Sequence, residues 1–222
     1  NIKLRWFVLP SLLTALFLIA IPPVVSWAGE LEDRQEAVRQ NPNGALAHAN
    51  LGYAYQNLGQ HQEAIAPYKQ AIRINPDYAA AHFGLGIAYR KSGQYEDAIA
   101  SFKKAIRIWP GFYHAHNNLG KTYKKLGQYQ EAIASFKEAI RIKPDLAEAH
   151  RSLGWAYERL GQYQEAIASY KEALRIKPDL TVVHNLLNKL EQKMAQAKPA
   201  PQFSDEESNR LARERRLLEE ER

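Results

Sequence analysis

The residues that could start chemistry here are histidines. Five of the seven recur at one interval: His48, His82, His116, His150 and His184 stand 34 residues apart. Imidazole is the commonest metal ligand and general base near neutral pH. Yet residues one full period apart occupy the same packing position in successive layers, so these five read as packing side chains rather than a ligand set. His114 and His116, at i and i+2, face apart on a helix. There is no cysteine. That excludes a disulfide framework, a thiol nucleophile and a thiolate metal site. No His-Glu-x-x-His, no phosphate-cradling glycine loop and no Gly-x-Ser-x-Gly occurs. The expectation is a non-enzymatic chain with no catalytic residue, metal, cofactor or small-molecule substrate.

The interval itself is the main signal. From Ala45 to Leu180 one 34-residue pattern is written four times. Pro42, Pro76, Pro110, Pro144 and Pro178 keep its phase, as do Gly59, Gly93, Gly127 and Gly161, and Gly52, Gly86, Gly120 and Gly154. A period of this size marks a stacked array. Each copy reads as two helices. His48, Leu51, Gly52 and Tyr55 recur at i, i+3, i+4 and i+7, one helical face. Gly59 supplies a helix stop. Ala64, Ile65, Tyr68, Ala71 and Ile72 give the second helix its inner face, and Pro76 ends it. Gly52 and Ala64 are small where two backbones should approach. Pro67, inside the second helix of the first copy, should cost a hydrogen bond and bend that helix.

Leu-Gly-x-x-Tyr, then Ala-x-x-x-(Phe/Tyr)-x-x-Ala, then Pro, resembles the tetratricopeptide repeat across Ala45–Leu180. One departure is consistent: the family's Trp early in the first helix is His here. The fold expected from pattern and resemblance is all-α. It is an α-solenoid of four tandem helix-turn-helix repeats (45–78, 79–112, 113–146 and 147–180). A half-repeat (29–44) precedes them, and a capping helix (181–197) follows, with Val183, Leu186, Leu187 and Leu190 on one face.

The resemblance implies a concave groove, lined by the first helices, that holds a partner's peptide or helix. By phase, the groove positions are Asn50, Tyr53, Gln56 and Asn57 in the first copy, and Phe83, Ile87, Arg90 and Lys91 in the second. The third supplies Asn117, Asn118, Lys121, Lys124 and Lys125, and the fourth Arg151, Trp155, Glu158 and Arg159. Asn side chains can grip an extended backbone with a donor and an acceptor. Tyr53, Phe83 and Trp155 offer apolar area at little entropic cost. The bases favour an acidic or amphipathic segment. The family's carboxylate clamp would need Lys, Asn, Asn, Lys and Arg at positions that hold Ala49, Tyr53, Gly84, His114 and Asn118 in copies one to three, and Phe83, Ile87, Asn118, Glu148 and Ser152 in copies two to four, where only Asn118 matches. Recognition of a chaperone-type C-terminus is therefore not expected. A second surface is the turn Trp109-Pro-Gly-Phe-Tyr113, where Trp109 should be exposed.

Charge is local. The net charge is +6, but residues 79–146 hold eleven Lys/Arg against five Asp/Glu, while the first and fourth copies balance. No basic face reaches the scale that nucleic acid requires. Residues 1–28 differ in kind. Lys3 and Arg5 precede an uncharged run over 6–25, which as a helix would be roughly 30 Å long, enough to cross a bilayer core. It reads as a membrane anchor or, alternatively, as a signal cleaved near Ser26-Trp27-Ala28. Both readings keep the N-terminus cytoplasmic and put the repeats on the extracytoplasmic side, in periplasm or lumen, because Glu30, Glu32 and Asp33 follow the run. Residues 198–222 are a linker and charged tail. The tail reads as solvated, or as a helix that forms on a partner through Leu211, Leu217 and Leu218. Anchored proteins that resemble this one serve as assembly factors or accessory subunits of membrane complexes.

Overall fold

The glycine that closes each first helix sets the repeat in space. Gly59, Gly93, Gly127 and Gly161 have φ of +74°, +80°, +74° and +74°, the left-handed conformation that only glycine takes without strain. Each stops a first helix of 13 residues and starts a turn into a second helix of 14. The second helices end at Asn75, Trp109, Lys143 and Lys177 in extended conformation, as the following proline demands. In the computed structural model, which describes residues 23–197 together with Arg210 and Arg213, the described residues form ten α-helices and no strand. They are α1 (Pro23–Gln40), α2 (Ala45–Asn57), α3 (His61–Ile74), α4 (Ala79–Lys91), α5 (Tyr95–Ile108), α6 (Tyr113–Lys125), α7 (Tyr129–Ile142), α8 (Ala147–Arg159), α9 (Tyr163–Ile176) and α10 (Thr181–Ala197). The chain divides into two compact units, one ending at Pro144 and the other beginning at Asp145.

In the first unit α2 pairs with α3, α4 with α5 and α6 with α7, and each pair packs on the next. The first helices α2, α4 and α6 also lie side by side. The small signature residues admit rings rather than backbones. A Cβ on Gly52, Gly86 or Gly120 would sit 2.9, 2.6 or 2.7 Å from the ring of Tyr68, Phe102 or Phe136. Those rings are buried, Phe102 and Phe136 completely, and Ala64, Ala71, Ala98 and Ala105 on the same second helices are fully buried. α1 packs against α2, and Gln35 Nε2 donates to Tyr55 Oη at 3.2 Å. It begins at Pro23, six residues before the expected start of the half-repeat. Proline is favoured at the first helical position, where no N–H is needed, so Pro23 opens this helix. α3 runs unbroken through Pro67 and matches α5 and α7 in length. Packing against both neighbouring helices overrides the missing hydrogen bond.

The recurrent histidines do more than fill the place of a Trp. Nε2 of His48, His82, His116 and His184 donates to the carbonyl oxygen of Pro42, Pro76, Pro110 and Pro178 at 2.9–3.0 Å. Each tethers the start of a first helix to the proline six residues earlier. Among the described residues no group of His, Asp and Glu is placed to hold a metal ion.

In the second unit α8 pairs with α9, and α10 covers α9. Gly154 admits the ring of Tyr170, 2.7 Å from where a Cβ would stand. Val183, Leu187 and Leu190 of α10 are buried, and Asn188, Lys189, Gln192 and Lys193 are exposed. Lys171 pairs with Glu191 at 2.8 Å, and Lys193 Nζ donates to Tyr163 Oη at 2.8 Å. The apolar run over 6–25 lies outside the described residues but for the backbone of its last three, and the tail lies outside them but for Arg210 and Arg213. Among the described residues no helix is long and apolar enough to cross a membrane.

Candidate functional site

Asn50, Tyr53 and Gln56 lie on one face of α2, and Ala80, Phe83 and Ile87 on the facing side of α4. Together they line a mainly apolar pocket of about 300 Å³ in the first unit. Its floor is a closed chain of hydrogen bonds. Tyr68 Oη donates to Gln56 Oε1 at 2.9 Å, and Gln56 Nε2 donates to the Gly84 carbonyl at 2.7 Å. Gly84 has no side chain because a Cβ there would meet the Tyr68 ring at 2.4 Å. Burial pushes the Tyr68 hydroxyl well above the usual tyrosine range, so it remains a donor. Tyr53 is 56% exposed at the rim. Phe83, placed by phase in the groove, also packs in the core: its ring centroid lies 4.7 Å from that of Phe112 and 5.9 Å from that of Phe102. It is half-buried, with one side packed and the other in the pocket.

The position of Gln56 recurs as Arg90, Lys124 and Glu158, and the ring beside it as Phe102, Phe136 and Tyr170. Where the ring is Tyr, its hydroxyl bonds an acceptor: Gln56 for Tyr68 and Glu158, at 3.0 Å, for Tyr170. Where the ring is Phe, the position carries a cation. Arg90 is half-buried, and its Nε is buried without a hydrogen-bond partner. Burial lowers its guanidinium pKa below the ordinary range. Among the described residues it makes no ion pair, and its neighbour Lys91 is exposed.

The third copy departs from expectation. Asn117 is buried, 6% exposed, with Oδ1 unpartnered, so it does not stand open to an extended backbone. Asn118 donates Nδ2 to the His114 carbonyl of its own helix at 2.9 Å, the local bond that asparagine readily makes. Lys121 and Lys124 are half-buried and engaged within the fold, while Lys125 is exposed. In the second unit Arg151 donates Nε and Nη2 to Glu148 at 3.0 and 2.6 Å, which holds its pKa above the ordinary range. Both residues line a second cavity of about 370 Å³ with Asp179, Thr181 and Val182. Arg159 lies over the half-buried Trp155 ring at 5.7 Å. Trp109 is 53% exposed and stacks on buried Phe112 with centroids 4.5 Å apart.

The phase of the repeat does not reveal Tyr78, Gly84 or the Tyr68 ring as parts of the pocket. Gly84 does carry a signal, as a glycine where the other copies have Asn50, Asn118 and Ser152.

Comparison with curated proteins finds no match. Among solved structures, one of MamA covers 69% of this chain and 90% of its own, at 27% identity and a TM-score of 0.66. TTC0263, a thermophilic tetratricopeptide-repeat protein of Thermus thermophilus, covers 77% of this chain and 93% of its own, at 25% identity and a TM-score of 0.59. MamA from Desulfovibrio magneticus RS-1, at 21% identity and a TM-score of 0.65 over 70% of this chain and 88% of its own, shares the fold. No catalytic family is indicated. Models of the tetratricopeptide repeat match residues 34–79, 50–111, 89–134 and 113–179, well over half of the sequence, and the chain belongs to the tetratricopeptide-repeat family.

Proposed function

We propose that this chain is a non-enzymatic scaffold that holds an acidic or amphipathic segment of a partner protein against its first helices. Tetratricopeptide-repeat domains bind protein partners. The observation that carries the reading is the apolar pocket between α2 and α4, with Tyr53 exposed at its rim and Arg90 one turn beyond Ile87. The surplus of bases in residues 79–146 supports an acidic partner. The scaffold is tethered by the apolar run over 6–25 with its repeats on the extracytoplasmic side, and serves as an assembly factor or accessory subunit of a membrane complex. The alternative is a soluble periplasmic or lumenal module freed by cleavage near Ala28.

Affinity capture from solubilised native membranes, read by mass spectrometry, tests the reading. One bait is the parent. The other combines Tyr53→Ala with Lys121→Glu and Lys124→Glu, after circular dichroism shows equal helicity. The expected result is one partner held by the parent and lost by the variant. A partner kept by both would place recognition at the Trp109 turn or in the tail. The intact mass of the protein recovered from the host separates anchor from cleaved signal: the anchor keeps residues 1–28.

A further inference from the structure

The pocket between α2 and α4 has no free polar floor. Tyr68, Gln56 and the Gly84 carbonyl satisfy one another, and the rest of the lining is mainly apolar. It suits an apolar side chain. Arg90 and Lys91 follow Ile87 by three and four residues on the same face of α4, about 4.5 and 6 Å along the axis. In the first and fourth copies the position equivalent to Arg90 is closed by a tyrosine hydroxyl. In the second copy Phe102 has no hydroxyl to offer, and the position holds a guanidinium whose Nε is buried and unpartnered. Leaving a cation partly desolvated with no counter-charge is unfavourable, and a carboxylate meets a guanidinium in two parallel hydrogen bonds. His61, at the start of α3, is no counter-charge to Arg90 at any pH, because an imidazole is either neutral or cationic. Burial, with Lys91 and Arg90 nearby, holds its pKa below the ordinary range.

We infer that Arg90 reads a carboxylate of the partner, placed about one helical turn from the apolar side chain that enters the pocket. The inference rests on the pocket being the partner site. It assigns the bound segment one bulky apolar residue and an Asp or Glu within four positions of it, whether the segment is extended or helical. Arg90 sets the specificity and the pocket supplies the anchor.

The test uses the full chain in mild detergent and fluorescein-labelled peptides of about ten residues, capped at both ends so that no terminal charge contributes. Each peptide carries one leucine and one aspartate at spacing one, two, three or four, beside a twin with asparagine. Anisotropy gives affinity for the parent, Arg90→Gln, Arg90→Lys and Tyr53→Ala. At one spacing or more, aspartate should bind the parent about tenfold more tightly than asparagine, a preference reduced to under about twofold in Arg90→Gln. Arg90→Lys should retain part of it, and carries the test if Arg90→Gln does not fold. Tyr53→Ala should weaken every peptide. If leucine peptides bind and Tyr53→Ala weakens them, but aspartate and asparagine twins agree at every spacing, the inference is overturned and the pocket stands. A preference that survives in Arg90→Gln overturns it equally. If no peptide binds the parent, the pocket reading fails as well.

Discussion

A single hydroxyl separates two kinds of groove position. Tyr68 and Tyr170 each donate to a residue of the first helix paired with their own, and Phe102 and Phe136 have no hydroxyl to donate. Tyr68→Phe should keep the ring's packing but cost about 1 kcal/mol of stability, read as a lower urea midpoint, because Gln56 Oε1 loses its donor. A second residue-scale prediction concerns pH. His82 is buried and tethered to Pro76, and burial, with Lys104 and Arg107 pushing the same way, holds its pKa below 6.5 against the pull of the Pro76 carbonyl. His61 and His114 shift in the same direction, burial leading in both. A group whose folded pKa is depressed binds protons more readily unfolded. Its contribution is therefore full above about pH 6.5 and declines as pH falls through the folded value. The thermal midpoint should be lower at about pH 5.5 than at about pH 7.5, and the difference smaller in His82→Gln. Glu138 and Glu172, held below 4.5 by hydrogen bonds from Arg141 and Arg175, lose their contributions only at lower pH and do not confuse the window. At this scale the sequence reveals little. The period assigns Asn117, Asn118 and Arg151 to one face, but it cannot say that the first is buried, the second bonded to its own helix and the third paired with Glu148. Those outcomes depend on side chains meeting across helices.

Helices were the most legible level, because their ends are written in residues that permit few conformations. Glycine in the left-handed region and proline after an extended residue bracket α2 to α9 in the same way in every copy. The start of α1 was not legible. Pro23 belongs by composition to the apolar run before it, yet proline at a first helical position is as acceptable as proline in a loop. Pro67 is the converse case, a residue whose local preference loses to its surroundings. α3 holds helical geometry around it, with Ala64, Ile65, Tyr68 and Ala71 buried on the same helix. Pro67→Ala restores an N–H and removes the ring's conflict with the preceding turn. It should raise stability by roughly 1–3 kcal/mol, read as a higher midpoint in urea. An unchanged or lower midpoint would mean that the half-buried ring of Pro67 makes packing worth as much as the bond it forgoes.

At the scale of the whole molecule the sequence displayed the repeat and the uneven charge plainly, and both bear on how a partner arrives. The cations of residues 79–146 outnumber the acids by eleven to five. Capture of an acidic segment should therefore be faster at low ionic strength, since attraction between exposed charges fades beyond about 8 Å at physiological salt. Stopped-flow association should slow several-fold between about 50 and 300 mM salt, with dissociation changing less. A rate indifferent to salt would leave the apolar pocket as the sole attractor. The joints between copies have a consequence of another kind. The bond from His82 Nε2 to the Pro76 carbonyl closes within seven consecutive residues and borrows nothing from elsewhere in the chain. A stretch of DNA one period long that starts at or shortly before the proline codon thus encodes its own joint. Unequal crossing-over can add or remove a copy without breaking a joint, and lineages can lengthen or shorten their reach along a partner one notch at a time.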